Sequence, residues 1–247
     1  MMLKDLVNLA LGRKEIYKSK KFSVVDNGHF LILYCEGALY SKVPKNGELT
    51  GEYWDYFLPL SMLFENPRIL LIGLGIGAIP AIIMRRKKAS FVAIECEEEI
   101  LKINKTLNTA QNVETIKGRG EDLIRRYSSQ FDILILDAYE GVRIPREFLS
   151  REFAKNAYNA LRKKGVFSVN ITGTSWYSSE FLEFLNYVNE FFDTYYFSTG
   201  AFSTNKILVG LKEIKIEELV RLVDKNKEKI GQSYLTKEYM NPKKPFF

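Results

Sequence analysis

The chain of 247 residues is 46% hydrophobic and 27% charged with both signs interleaved, the composition of a folded globular protein and not of a disordered or fibrous one. Its two cysteines, Cys35 and Cys96, are far apart and lack CxxC or Cys/His spacing, which excludes a disulfide framework, a zinc site and an iron–sulfur site by ligand count. The net charge of +6 sits at the ends, +4 in residues 1–21 and +3 in residues 211–247, so the body between them is nearly neutral and a nucleic-acid partner is not expected.

No stretch of about 18 apolar residues and no A-x-A-like cleavage site occurs, and the expectation is a cytoplasmic protein with no membrane partner. Abundant Lys and Glu beside one His and three Gln resemble a thermophile's composition.

In chain order, the spacing of Leu3, Leu6, Val7 and Ala10 predicts a short amphipathic helix. Strand-like segments follow at Phe22–Val25, His29–Cys35 and Ala38–Val43, punctuated by Asp26-Asn27-Gly28, Glu36-Gly37 and Pro44 to Gly47, which predicts a small antiparallel sheet. From Asn66 onward strands alternate with helices: Arg68–Ile72 then 77–88, Phe91–Glu95 then 97–108, Val113–Lys117 then 121–128, Phe131–Asp137 then 147–162, and Val166–Ile171 then 177–191. Apolar runs such as Ile-Leu-Leu-Ile (69–72) and Ile-Leu-Ile-Leu (133–136) mark strands buried on both faces, and the alternation predicts a doubly wound α/β sheet. Thr194–Ser198 and Lys206–Lys212 are spaced for a terminal hairpin, and 214–229 for a last helix. The expected division is 1–56, helix and small β domain, and 57–247, the α/β domain.

Gly73, Gly75 and Gly77 follow the first strand of this series and open a helix, with Pro80 in its first turn, where a missing N–H costs little. Such glycines let a ligand approach the backbone, and Glu95, which ends the second strand, is placed to accept hydrogen bonds from both ribose hydroxyls. Loop and acid together predict a nucleoside site; the glycine pattern alone also fits a dinucleotide turn. Asp137 ends the strand Phe131–Asp137 at the C-terminal edge of the sheet, and Glu140 lies three residues on. Two carboxylates beside a pocket suit a cationic amine, which they can orient and deprotonate. His29 has no second histidine to work with, so no Ser/His/Asp or Cys/His constellation can be assembled, and the aromatics of 177–197 are expected to pack in the core.

Gly-Leu-Gly-Ile-Gly-Ala-Ile-Pro (73–80), Ala-Ile-Glu (93–95), the segment Asp137 to Phe153 and the strand region Leu161 to Asn170 resemble the spermidine synthase (polyamine aminopropyltransferase) family, in particular its divergent spermidine-synthase-like branch. The similarity runs from about Ser23 to Leu211 and includes Leu33 to Ala38. The resemblance implies a seven-stranded methyltransferase-type (Rossmann-like) sheet behind a small N-terminal β domain, no metal, and a homodimer or higher homo-oligomer. It further implies decarboxylated S-adenosylmethionine or S-adenosylmethionine as co-substrate and a small-molecule amine as acceptor. Glu95 matches the ribose-binding acid, and Asp137 with Glu140 match the acidic pair facing the amine.

Three positions depart from the family. Ile76 stands where synthases carry an Asp in the glycine loop, Arg119 where an Asp meets the adenine amino group, and Gly51 to Phe57 replaces the Asp-Glu-x-x-Tyr-His-Glu gate. A guanidinium has only donors, so Glu121 or Asp122 is expected to accept from adenine N6 while Arg119 faces solvent. These departures keep two alternatives beside aminopropyl transfer: methyl transfer from S-adenosylmethionine, and a binding or assembly protein that retains the fold.

Overall fold

The computed structural model describes residues 13–141, 143–173, 175–200 and 204–245; the helix expected around Leu3 to Ala10 lies outside the described residues. Strands β1 (Lys14–Lys18), β2 (Phe22–Asp26), β3 (Phe30–Cys35) and β4 (Ala38–Pro44) form an antiparallel sheet in that order. The β2–β3 turn is closed by Asp26 and Asn27 side chains accepting the Gly28 and Phe30 N–H groups at 2.8 and 2.7 Å. The β3–β4 turn is two residues long, Glu36 and Gly37, with φ of 50° and 86°, the mirror-image turn that suits a hairpin's twist.

The second sheet comprises β5 (Arg68–Ile72), β6 (Ser90–Glu95), β7 (Val113–Lys117), β8 (Phe131–Leu136), β9 (Leu161–Ile171), β10 (Asp193–Ser198) and β11 (Lys206–Leu211). Its order is β10-β11-β9-β8-β5-β6-β7, with five parallel strands extended by the antiparallel β11 and by β10. The seven-stranded sheet and its terminal hairpin are therefore those the sequence predicts. Alternate residues serve opposite cores: Leu71, Ile133 and Ile135 join the cluster shared with Phe22, Val24 and Leu33 of the small sheet, while Leu70, Ile72, Leu134 and Leu136 join Phe153, Phe167, Phe181 and Phe184.

The covering helices are α1 (Leu58–Ser61), α2 (Ala78–Met84), α3 (Glu98–Leu107), α4 (Gly120–Leu123), α5 (Arg151–Ala160), α6 (Ser179–Asn189), α7 (Ile216–Lys225), α8 (Lys227–Ile230) and α9 (Ser233–Tyr239). Ser150 and Ser178 cap α5 and α6 by accepting the Phe153 and Phe181 N–H groups. Several elements escape sequence reading, among them α1 and α9, and the helix expected over 214–229 is α7 followed by α8. β1 is a largely exposed edge strand without apolar alternation, and the segment expected as one helix over 121–128 is α4 followed by a 3₁₀ turn at Ile124–Arg126.

A 3₁₀ turn, Tyr53–Phe57, is fixed over the C-terminal edge of the sheet. Its fully buried Asp55 accepts the Thr50 and Gly51 N–H groups at 2.9 and 2.7 Å, the Thr50 hydroxyl at 2.8 Å and the Tyr234 hydroxyl of α9 at 3.0 Å. Tyr239 of the same helix donates to the Tyr56 carbonyl and stacks on Phe197 with ring centroids 4.1 Å apart. Asp55→Ala leaves several buried donors unpaired, and urea unfolding should show a loss of about 3 kcal/mol.

Candidate active-site cleft

β5 and β8 are neighbours, yet the chain leaves β5 toward β6 and returns past it to β8, so the crossover direction reverses between them. Ligands of open α/β sheets bind at such a point, beyond the carboxyl ends of the strands. Gly73 follows β5 and Asp137 follows β8 there, with the Asp137 N–H donating to the Ile72 carbonyl at 2.8 Å. Gly73 has φ of +91°, and a Cβ on it would lie 2.2 Å from the Asp137 carbonyl oxygen, so only glycine lets the two strand ends meet. At Gly75, φ +53°, a Cβ would lie 2.8 Å from Ser41 Oγ of β4.

The glycine loop is held by the protein itself. Glu95, 5% exposed, accepts the Leu74 N–H on Oε2 at 3.0 Å and the Glu97 N–H on Oε1 at 2.9 Å. Ser41 Oγ accepts the Ile76 N–H at 3.2 Å, and Asn104 of α3 donates to the Gly75 carbonyl at 2.7 Å. The Leu74 and Ile76 N–H groups are thus already occupied, and the glycines contribute space. Burial raises the pKa of Glu95, opposed by these backbone donors. Each carboxylate oxygen keeps lone-pair capacity for a hydroxyl donor.

The cleft has two lobes. A narrow one of about 70 Å³ runs beside Glu95, Arg119, Glu121, Glu140 and Phe148. A wide one of about 510 Å³ lies between Glu36, Glu52, Tyr53, Asp137 and Asn170. Asp137, half-buried at the floor of the wide lobe, accepts Asn170 Nδ2–H at 2.9 Å on Oδ1 and the Tyr53 hydroxyl at 3.2 Å on Oδ2. Trp54 also donates to it, and Asn205 Nδ2 in turn donates to Asn170 Oδ1 at 2.9 Å. Burial pushes the Asp137 carboxyl up to about 7 against these donors, which favour the charged form.

The sequence-predicted residues are distributed unevenly. Gly73 and Gly75 border the wide lobe, Gly73 and Glu95 border the narrow one, and Gly77 caps α2 below the loop with φ of 86°. Glu140 does not share a lobe with Asp137: it is exposed, lines the narrow lobe, and exchanges backbone hydrogen bonds with Arg143 at 2.9 and 3.2 Å. Glu121 lines the narrow lobe, its carboxylate held by Arg119, which also reaches Glu147 at 3.0 Å. Asp122 is exposed, pairs with Arg125 at 2.8 Å and is absent from the lining of both lobes. Ile76 is fully buried in the core, and His29 stands exposed by Glu48, outside the cleft. Ser41, Tyr53 and Asn170 are contributors that sequence reading missed. The one available signal was Asn170 at the end of β9, the same sheet edge as Asp137.

Among the described residues no cluster of three His, Cys, Asp or Glu could hold a metal, and no helix is long and apolar enough to cross a membrane.

A mixed seven-stranded sheet of this order beside a small four-stranded antiparallel sheet is the methyltransferase-type fold that the motifs led one to expect. The human methyltransferase-like protein 13 in complex with SAH superimposes with a TM-score of 0.60 at 17% identity, covering 72% of this chain and 88% of that one. A spermidine synthase in complex with the transition-state analogue AdoDATO superimposes with a TM-score of 0.68 at 17% identity, covering 93% and 86%. In sequence, the polyamine aminopropyltransferase of Thermococcus onnurineus is 26% identical over 167 residues, 62% of this chain and 59% of that protein. The chain thus spans less than two thirds of the length of the curated relatives it matches. No family model matches it. The resemblance read from the motifs stands: the chain is similar in sequence to polyamine aminopropyltransferases and in fold to spermidine synthases.

A carboxyl whose folded pKa lies above its unfolded value binds its proton more tightly in the native state, so its cost to stability develops as pH rises from about 4 to 7. Thermal unfolding of Asp137→Asn against the parent should therefore show a gain in Tm at pH 8 that shrinks as pH falls to 4.

Proposed function

We propose that the cleft binds an S-adenosyl sulfonium nucleoside together with a small amine, and that the chain transfers the aminopropyl group of decarboxylated S-adenosylmethionine to a polyamine. The wide lobe carries this reading: Glu36, Glu52 and Asp137 line it, and no lysine or arginine is among the described residues that do. Lys42 approaches Glu52 at 3.7 Å from outside the lobe, so part of the acidic charge is left for a cationic guest. The aminopropyltransferase names of the sequence relatives point the same way. The reading carries with it a cytoplasmic, metal-independent enzyme working as a homodimer or higher homo-oligomer.

Glu95 would accept from the ribose hydroxyls in the narrow lobe, and Glu121 from the adenine amino group once Arg119 releases it. Asp137 would orient the amine and accept a proton from the arriving ammonium, for which a carboxyl near 7 is suited because both of its forms are populated at neutral pH. The freed nitrogen lone pair attacks the propyl carbon bonded to sulfur. The C–N bond forms as the C–S bond breaks, the sulfonium becomes the neutral thioether methylthioadenosine, and the positive charge ends on the new secondary ammonium. Alignment of nitrogen, carbon and sulfur in a partly enclosed site supplies most of the acceleration. Tyr53 and Asn170 would set the direction of the Asp137 oxygens.

Methyl transfer from S-adenosylmethionine would place a further carboxylate in the same acid-lined lobe without a cation to meet it, which favours the decarboxylated donor. The open acidic lobe likewise weighs against a purely structural protein.

Formation of methylthioadenosine from decarboxylated S-adenosylmethionine with putrescine, agmatine, spermidine or cadaverine tests the proposal. Turnover with at least one amine is expected, Asp137→Asn should lower it by about 10²-fold or more, and no product with any of them sinks it. Arg119, half-exposed, lines the narrow lobe and pairs with Glu121 and Glu147, and that lobe measures only about 70 Å³. Arg119→Ala should therefore keep or raise methylthioadenosine affinity in calorimetric titration, and a tenfold loss would show that the guanidinium contacts the ligand.

A further inference from the structure

Both lobes of the cleft share Tyr40, Gly73 and Tyr139. A ligand with its nucleoside beside Glu95 and its tail or acceptor beside Asp137 must cross the neck that these three residues form. Gly73 presents no side chain, so the walls there are two tyrosines. Both rings are held in place: Tyr40 packs edge-on against the buried Phe22, outside the cleft, centroids 6.1 Å apart at 63°, and the Tyr139 hydroxyl donates to the carbonyl of Asn170 in the wall of the wide lobe.

On the nucleoside reading, the atom that occupies the neck is the sulfur, because it joins the nucleoside to the group being moved. Before transfer that sulfur is a cation; afterwards it is a neutral thioether. An aromatic face within about 6 Å attracts a cation through its quadrupole and does little for a thioether of similar shape. We propose that the Tyr40 ring distinguishes the charged sulfonium donor from its neutral thioether counterpart, an inference that rests on the function proposed above.

Burial, and after it the nearby Glu95 and Asp137 carboxylates, raise the Tyr40 pKa, so its hydroxyl stays neutral. Those carboxylates also attract a sulfonium, but they remain in place when Tyr40 is changed. The ring's share can therefore be separated from theirs, and a single cation–π contact corresponds to about 3- to 30-fold in affinity.

The test is calorimetric titration with two ligands that differ by the S-methyl group and its charge: decarboxylated S-adenosylmethionine and S-adenosyl-3-thiopropylamine. The parent protein should bind the sulfonium more tightly, Tyr40→Phe should hold that preference within about twofold, and Tyr40→Leu should cut it by about 3-fold or more. Tyr40→Met supplies the ringless comparison if the Leu variant fails to give a cooperative melt. An unchanged preference in the ringless variant overturns the inference, as does a Phe variant that loses as much as Leu, which would assign the effect to the hydroxyl. Equal binding of both ligands by the parent overturns this inference alone, whereas binding of neither overturns the proposed function and this with it.

Discussion

The contact on which the cleft depends is the one between the Gly73 backbone and the Asp137 carbonyl. A parallel ladder sets β5 and β8 side by side, and the Asp137 N–H continues it by one bond to Ile72. Beyond that bond the strands must separate to feed different connections, and a side chain at position 73 would force them apart early, since its first carbon already meets the carbonyl oxygen at 2.2 Å. Keeping them together brings the glycine loop, the end of β6 with Glu95 and the end of β8 with Asp137 to one sheet edge. Chemistry-bearing groups that lie far apart in sequence acquire a common neighbourhood through that approach.

The small sheet completes the neighbourhood from the other side. It is tied to the large domain by Tyr17 donating to Glu99 at 2.9 Å, by the Lys21–Glu97 ion pair, and by Ser41 accepting the Ile76 N–H. The surface ion pair contributes little by itself. The Ser41 contact is different in kind, because it satisfies a buried N–H of the glycine loop that would otherwise call for a ligand or water. Ile76 fits this arrangement: its side chain fills the core while its N–H is taken by β4, so the loop has a structural solution that needs no acid at that position.

Much of the large domain was legible because its physics is local. A strand buried on both faces must read as a nearly continuous apolar run, and Ile69 to Ile72 and Ile133 to Leu136 do. Glu95 and Asp137 stood out because an acid ending such a run has to sit at the sheet edge. Glu140 and Asp122 were harder, since their directions depend on the course of a loop and of one helical turn. One residue of displacement puts Asp122 against Arg125 and leaves Glu121 at the cleft, and three residues carry Glu140 into the other lobe from Asp137. Tyr53 and Ser41 were illegible for a further reason. Each reaches the site across a large sequence separation, 84 residues from Tyr53 to Asp137, and no local pattern reports a contact of that span.

The electrostatics of the wide lobe follow from the same topology. A carboxylate with a cationic partner would be held below its usual range, and Asp137 is instead pushed up to about 7, because its partners Tyr53, Trp54 and Asn170 are neutral donors that offset only part of the burial penalty. Asp55 lies just along the same turn from Tyr53 and is also buried, yet its four donors come from Thr50 and Gly51 ahead of the turn and from Tyr234 of α9, so its oxygens are taken up in fixing the backbone. One acid therefore holds the wall in place while the other, served by fewer donors and open to the lobe, is left able to exchange a proton. That difference in hydrogen-bond supply separates a structural carboxylate from a chemically available one within the same few ångströms of fold.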